Sequence, residues 1–289
     1  MVPIFYRQIT VRGSVSEVKI TLKIVLFVVA LGLVGCTTTS SLQKELAAGG
    51  IPKFDGYVTP INIPVLLRYK PTDFRFKASM AISIDTGRKS AQSHVEMVVK
   101  SKIRKLGNLL THDVAFDKFV VNGKIDSLSG FTVRALTDAR GTTREMELVG
   151  VELDEKGQKS LESIIDALGN TTTLPEMPVR SGDSWKVNSL SVMAEAWEYV
   201  EPPELLDLFD IEYTVDGWGV VDGRKLMITS ADKTITTRIK GEDIQITQHG
   251  YQLWDVETAQ KIEIRELMVM TWRNRPDLSV KILSHGTQF

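Results

Sequence analysis

The chain has 289 residues, of which 43% are hydrophobic and 25% charged, a globular composition that excludes a disordered or fibrous protein. Its formal net charge of -1 gives no strong field for gathering nucleic acid. With a single cysteine, Cys36, it has no internal disulfide to staple a secreted fold.

The first informative element is amino-terminal. Ile24 to Gly35 reads IVLFVVALGLVG, uncharged and apolar, with Lys19 and Lys23 just before it and Arg7 and Arg12 further back. A basic lead, a short apolar core and a small residue at the end describe a secretory signal peptide. The run falls short of the roughly 20 apolar residues that a membrane-spanning helix needs. It closes on Leu33-Val34-Gly35-Cys36.

That tetrapeptide resembles the lipobox of bacterial lipoproteins. The resemblance implies cleavage between Gly35 and Cys36, a diacylglycerol on the Cys36 sulphur and an N-acyl chain on the freed amino group. Two or more such chains hold a protein on a membrane where one is marginal. Thr37, rather than Asp, follows the cysteine, which by the same resemblance implies the outer membrane, with the folded part facing the periplasm. The lead from Met1 to Lys23 is long and contains Glu17, so Val18 is the expected initiator.

The expected organisation is a signal peptide over 1–35 and a lipidated cysteine with a flexible tether over 36–60. Two β-rich halves follow over 61–170 and 184–289, joined by a Pro/Gly linker over 171–183. Thr37 to Ser41 is polar, and Leu42 to Ala48 is a short helical possibility stopped by Gly49-Gly50, read as part of the tether.

From Phe74 the pattern has period two: Phe74, Phe76, Ala78, Met80, Ile82 and Ile84 alternate with Arg75, Lys77, Ser79 and Ser83. This predicts a long strand with one wet face, ended by the Asp85-Thr86-Gly87 turn signal. Val95 to Ile103, Val114 to Val121, Phe131 to Thr137 and Thr143 to Leu148 continue in the same way, with Asn122-Gly123 a hairpin turn. The period then changes. Leu161, Ile164, Ile165 and Leu168 predict an amphipathic helix over about 156–168, stopped by Gly169-Asn170 and packed on the sheet.

After the linker, Phe209, Ile211, Tyr213 and Val215 open a second alternating strand. Strands are expected at Lys225 to Ser230, Thr234 to Lys240, Asp243 to Gln248, Lys261 to Trp272 and Leu278 to Leu283, while Val192 to Val200 fits helix and strand alike. The fold class is α+β or mostly β: long curved antiparallel sheets, at least one packed helix and two related halves.

Two stretches, Leu66-Leu67-Arg68-Tyr69-Lys70-Pro71 and Leu174-Pro175-x-x-Pro178-Val179-x-x-Gly182-Asp183-x-Trp185, resemble openings in uncharacterised β-rich envelope lipoproteins. There the Gly-Asp-x-Trp turn feeds a first long strand. The layout is also similar to periplasmic lipoprotein-carrier folds. Neither resemblance carries an active site.

His94, His112, His249 and His285 lack ligand spacing and read as strand-face residues. There is no Gly-x-Ser-x-Gly elbow, and Gly217-x-Gly219 leads into strand rather than helix. Asp154-Glu155 and Glu201/Glu204 are acidic pairs of the kind found on solvated turns. Trp185, Trp197, Trp218, Trp254 and Trp272 fit either a core or an apolar cavity. Glu266 interrupts the apolar face Ile262, Ile264, Met268, Met270, Trp272, so a bulge, a strand end or a paired buried acid is expected there.

With no catalytic or metal set, the expected function is non-enzymatic: a membrane-anchored envelope lipoprotein binding an apolar ligand or a protein partner. A structural or assembly role is the alternative, and an enzyme with a site assembled only in three dimensions is third.

Overall fold

A computed structural model describes residues 39–88, 90–125, 130, 132–149, 174–188, 210–239 and 242–289. The signal segment, Cys36, the helix expected at 156–168, Val192 to Val200, Trp197 and the acidic pairs Asp154-Glu155 and Glu201/Glu204 lie outside them.

Among the described residues one helix, α1 (Thr39–Ala48), is followed by twelve strands: β1 (Thr72–Asp85), β2 (Ser90–Leu106), β3 (Leu109–Val121), β4 (Lys124–Ile125), β5 (Thr132–Thr137), β6 (Thr143–Val149), β7 (Ser184–Asn188), β8 (Asp210–Val221), β9 (Arg224–Ile239), β10 (Glu242–Asp255), β11 (Gln260–Trp272) and β12 (Arg275–Gln288). They form one sheet in the order β6-β5-β3-β2-β1-β12-β11-β10-β9-β8-β7, with β4 beside β3. All pairings are antiparallel. The fold is therefore mostly β, and the described strands on either side of 171–183 belong to one large sheet. Its middle is the β1–β12 ladder, running from Phe76 opposite Gln288 to Asp85 opposite Ser279.

The turn chemistry is local. Asn122 and Gly123 have φ of 50° and 78°, and Asp222 and Gly223 have 48° and 75°. Two consecutive left-handed residues match the right-handed twist of a hairpin, and Asn-Gly and Asp-Gly adopt them at least cost. The stretches expected as two strands, Lys225 to Ser230 and Thr234 to Lys240, are continuous in β9 as far as Ile239, the last described residue there, because Ala231, Asp232 and Lys233 pair without a break with Gly250, His249 and Gln248.

The sheet curls. Trp185 on β7 and Trp254 on β10 are three strand spacings apart, about 14 Å on a flat sheet. Their ring centroids are 6.2 Å apart. Register shifts at Val98/Val99, Leu253/Trp254 and Val215/Gly217 mark bulges, which add twist and bend.

The concave face carries two apolar clusters. Over β7–β10, Trp185, Tyr213, Met227 and Trp254 pack beneath Ile61, Leu67, Leu174 and Val179. The segment 50–71 thus acts as a strap. Thr59 pairs both ways with Trp218 (2.8 and 2.7 Å), flanking β8 beyond the end of β7. A side chain at Gly217 would lie 2.4 Å from the Thr59 carbonyl, so only glycine admits the strap there. Val65 pairs both ways with Val179, and Arg68 donates to the carbonyls of Pro175 and Glu176 at 2.9 and 2.7 Å. The described part of the Pro/Gly stretch is therefore stitched into the core. Gly182-Asp183 turns into the short edge strand β7, not a long one.

On the convex face over β1–β6, charges pair across strands. Asp117 meets Lys100 at 2.8 Å and Arg75 at 3.7 Å, and Arg134 meets Asp113 at 2.7 Å and Glu147 at 3.1 Å. This is the wet face that the alternation predicts. Further along, Phe54 and Val58 of the strap pack on Leu226, Ile228, Tyr251 and Leu253.

Helix α1 covers the centre of the convex face. Leu42 and Leu46, one turn apart, pack on Ala81, Leu267 and Leu283, and Glu45 pairs with Arg265. The stretch read as tether therefore holds a docked helix. Its stop is as expected: Gly49 has φ of 68° and its N–H donates to the Leu46 carbonyl at 3.2 Å.

Candidate functional site

The most unusual chemistry lies on the concave face at Glu266. Register places Tyr213 opposite Ala231, Ala231 opposite Gly250, Gly250 opposite Glu266, Glu266 opposite Ser284, and Ser284 opposite Met80. One transverse row thus crosses six strands. Its middle holds the two smallest side chains, so Tyr213 lies across Ala231 and Gly250 and reaches the carboxyl beyond them.

Three donors converge on that carboxyl. Gln252 Nε2 donates to Oε1 at 2.7 Å, Tyr213 Oη to Oε1 at 3.2 Å and Gln248 Nε2 to Oε2 at 3.2 Å. Gln252 Nε2 also donates to Tyr213 Oη at 2.8 Å. Glu266 is 2% exposed and Gln252 fully buried. Burial lifts the Glu266 carboxyl above the ordinary carboxylate range, against the pull of Lys261 and the three donors. Burial and the neighbouring carboxyl likewise push the Tyr213 hydroxyl up. Gln252 Oε1 has no hydrogen-bond partner among the described residues.

The bulge at Leu253/Trp254 brings Lys261 opposite Trp254, onto the same face. Its ammonium sits 5.1 Å from the Trp254 ring centre and 6.0 Å from that of Tyr213, within cation–π range. Loss of solvent pulls its pKa down to about 8, partly offset by Glu266. Trp254 Nε1 donates to Thr229 Oγ1 at 3.0 Å. A buried acid raised and an amine lowered form a proton-sensitive pair.

This answers the expectation at Glu266: it is a paired buried acid, not a strand end. Trp185 and Trp254 are core, Trp218 is half-buried under Lys225 at 4.6 Å, and Trp272 is half-buried opposite Ile244. Tyr213, Gln248, Gln252 and Lys261 were not singled out in the sequence. The readable signal was period-two phase, since Gln248, Gly250 and Gln252 share a face flanked by Ile246 and Trp254.

The histidines do not join the cluster. His94 is buried beside Glu96 (3.2 Å), His112 meets Thr137 Oγ1 at 3.0 Å and stacks edge-on against Tyr69, and His249 pairs with Asp232 at 2.8 Å. His285 lies 3.5 Å from Glu263 on the convex face, where Tyr251 also donates to Glu263 at 2.7 Å. Among the described residues no group of three or more His, Cys, Asp and Glu is placed to hold a metal, and no helix is long and apolar enough to cross a membrane.

The second region is the concave face over β1–β6. Phe76, Met80, Val95, Met97, Val99, Val114, Phe116, Phe119, Val133 and Met146, with Ile264 of β11, form one buried apolar cluster. Its described members all come from strands, whereas the β7–β10 cluster includes strap residues.

Fold and site define a class, a single curled antiparallel sheet with a polar knot inside an apolar concave face. No family model matches the chain, and no curated protein matches it. Among solved structures it is similar to a DUF1329 family protein from Desulfovibrio piger, at 12% identity and a TM-score of 0.21, over 74% of this chain and 85% of that one. It is also similar to a putative outer membrane lipoprotein-sorting protein domain from Vibrio parahaemolyticus, at 9% identity and a TM-score of 0.18, over 86% and 91%. At these scores the overlap assigns neither family nor function.

Proposed function

We propose that the chain is a lipid-anchored protein of the bacterial cell envelope that binds an apolar ligand or an envelope protein on its concave face. Cys36 carries the diacylglycerol and N-acyl chains after cleavage behind Gly35, and the folded part faces the periplasm from the outer membrane. The observation that carries the binding role is the apolar face over β1–β6. Its cluster gathers side chains of β1, β2, β3, β5 and β6, with Ile264 of β11, on one face, among them Phe76, Phe116, Phe119 and Met97. The polar knot at Glu266 lies on the same face, joined to that cluster through Met80 and Ile264.

Native mass spectrometry of the lipidated protein, extracted in mild detergent, tests this reading. A lipid-sized adduct beyond the covalent chains, or a crosslinked envelope partner, is the expected result. A clean mass for the acylated chain alone, with no partner captured in intact cells, overturns it.

A further inference from the structure

We infer that α1 fixes the folded domain close to the membrane, with the convex face of β1, β11 and β12 towards the lipid, so that the lipidated cysteine is a short leash rather than a tether. This rests on the lipid-anchor reading of Cys36. The argument starts from chain length. Cys36 and Thr39, the first residue of α1, are three peptide units apart, so even fully extended they span only about 10 Å. The helix that follows is docked by Leu42 and Leu46, 0% and 4% exposed, and tied by Glu45 to Arg265. The acyl chains are thus held within a short reach of a helix that lies on the sheet.

The outward side of α1 is the part nearest the lipid. Lys44 and Ala47 are exposed there. The edges of the sheet stand further off: β6 is four strand positions from β1, and β7 five from β12. The concave face, on the other side of the sheet from α1, is turned towards the periplasm.

The test uses the chemistry of the anchor. The Cys36 sulphur is consumed as a thioether, so an introduced cysteine is the sole free thiol. Ala47→Cys, Glu145→Cys and Lys186→Cys, all at exposed positions, are labelled with a fluorophore in phospholipid vesicles containing a headgroup-linked quencher. The expected result is quenching several-fold stronger at position 47 than at 145 or 186. Inserting a long Gly/Ser stretch between Thr38 and Thr39, which leaves the sheet and helix untouched, should abolish the difference. Equal quenching at the three sites in the parent protein, or an unchanged pattern after the insertion, overturns the inference. Cys36→Ser separates the two readings. Vesicle binding that survives this substitution refutes the lipid anchor itself, whereas binding lost with Cys36→Ser but uniform quenching in the parent refutes only the fixed orientation.

Discussion

Tyr213 hydrogen-bonds Glu266 across two intervening strands, at 3.2 Å, over a saddle made of Ala231 and Gly250. The bond measures the curl of the sheet, because on a flat one three strand spacings would separate the two backbones by about 14 Å. Tyr213→Phe should therefore cost about 1 kcal/mol, an ordinary net hydrogen bond. Glu266→Ala should cost about 3–5 kcal/mol, because it strands several buried donors beside Lys261. The double variant should lose less than the sum of the two. Urea unfolding of the three variants checks this, and strict additivity would show that the pair does not act as a unit.

Gly250 is a steric requirement. A Cβ there would sit 2.2 Å from the Arg265 carbonyl and 2.7 Å from the Glu266 Cα, backbone atoms that cannot swing aside. Gly250→Ala should be destabilising by about 1–3 kcal/mol, the usual cost of overpacking. Gly123→Ala, at a position open to solvent, should lose less and only through its positive φ. Thermal unfolding of both ranks them, and equal losses would contradict the close approach.

Lys261 makes stability rise in alkali. Its folded pKa is about 8 against 10.5 when free, so between those values the unfolded chain binds the proton and the native chain does not. Stability should climb through that window by about 1–3 kcal/mol. Lys261→Met should flatten the climb. Chemical denaturation at pH 7.5 and pH 10 gives the comparison.

His112 acts at the other end of the scale. Burial lowers its pKa from 6.5 to about 4, with Asp113 pulling the other way. The neutral ring contributes stability that is fully present above pH 6.5 and is lost as pH falls through about 4. His112→Gln should be less stable at neutral pH but show a shallower loss from pH 6.5 to 4, read by the same denaturant titration. An unchanged acid slope would assign the titration elsewhere.

Much of this architecture was legible in the sequence. The alternation from Phe74 to Ile84 gave β1, and Asn122-Gly123 marked the turn from β3 to β4, because both signals are local. Three things were not. The single sheet was hidden because β1–β12 pairing joins residues 194 to 212 positions apart, and alternation says nothing about which strands meet. The docking of α1 was missed because Leu42 and Leu46 are only two apolar residues on a short helix. The polar knot was missed because glutamine in an alternating strand looks like a wet-face residue until the phase of the strand is fixed by its neighbours, and because Tyr213, read correctly on the apolar face, gave no sign of what its hydroxyl meets. Glu266 betrayed itself as a break in an apolar face, while its partners on β8 and β10 gave no such sign.

The β1–β12 ladder has a consequence for biogenesis. The two strands that hold the centre of the sheet, β1 and β12, are separated in sequence by most of the other strands, so a growing polypeptide cannot close the middle of the sheet until β12 has been made. Until then β1 and β11 each present a bare, unsatisfied ladder edge, and closure must overcome the entropy of a very long loop. Such a protein is slow to lock, and thus remains threadable until β12 is in place.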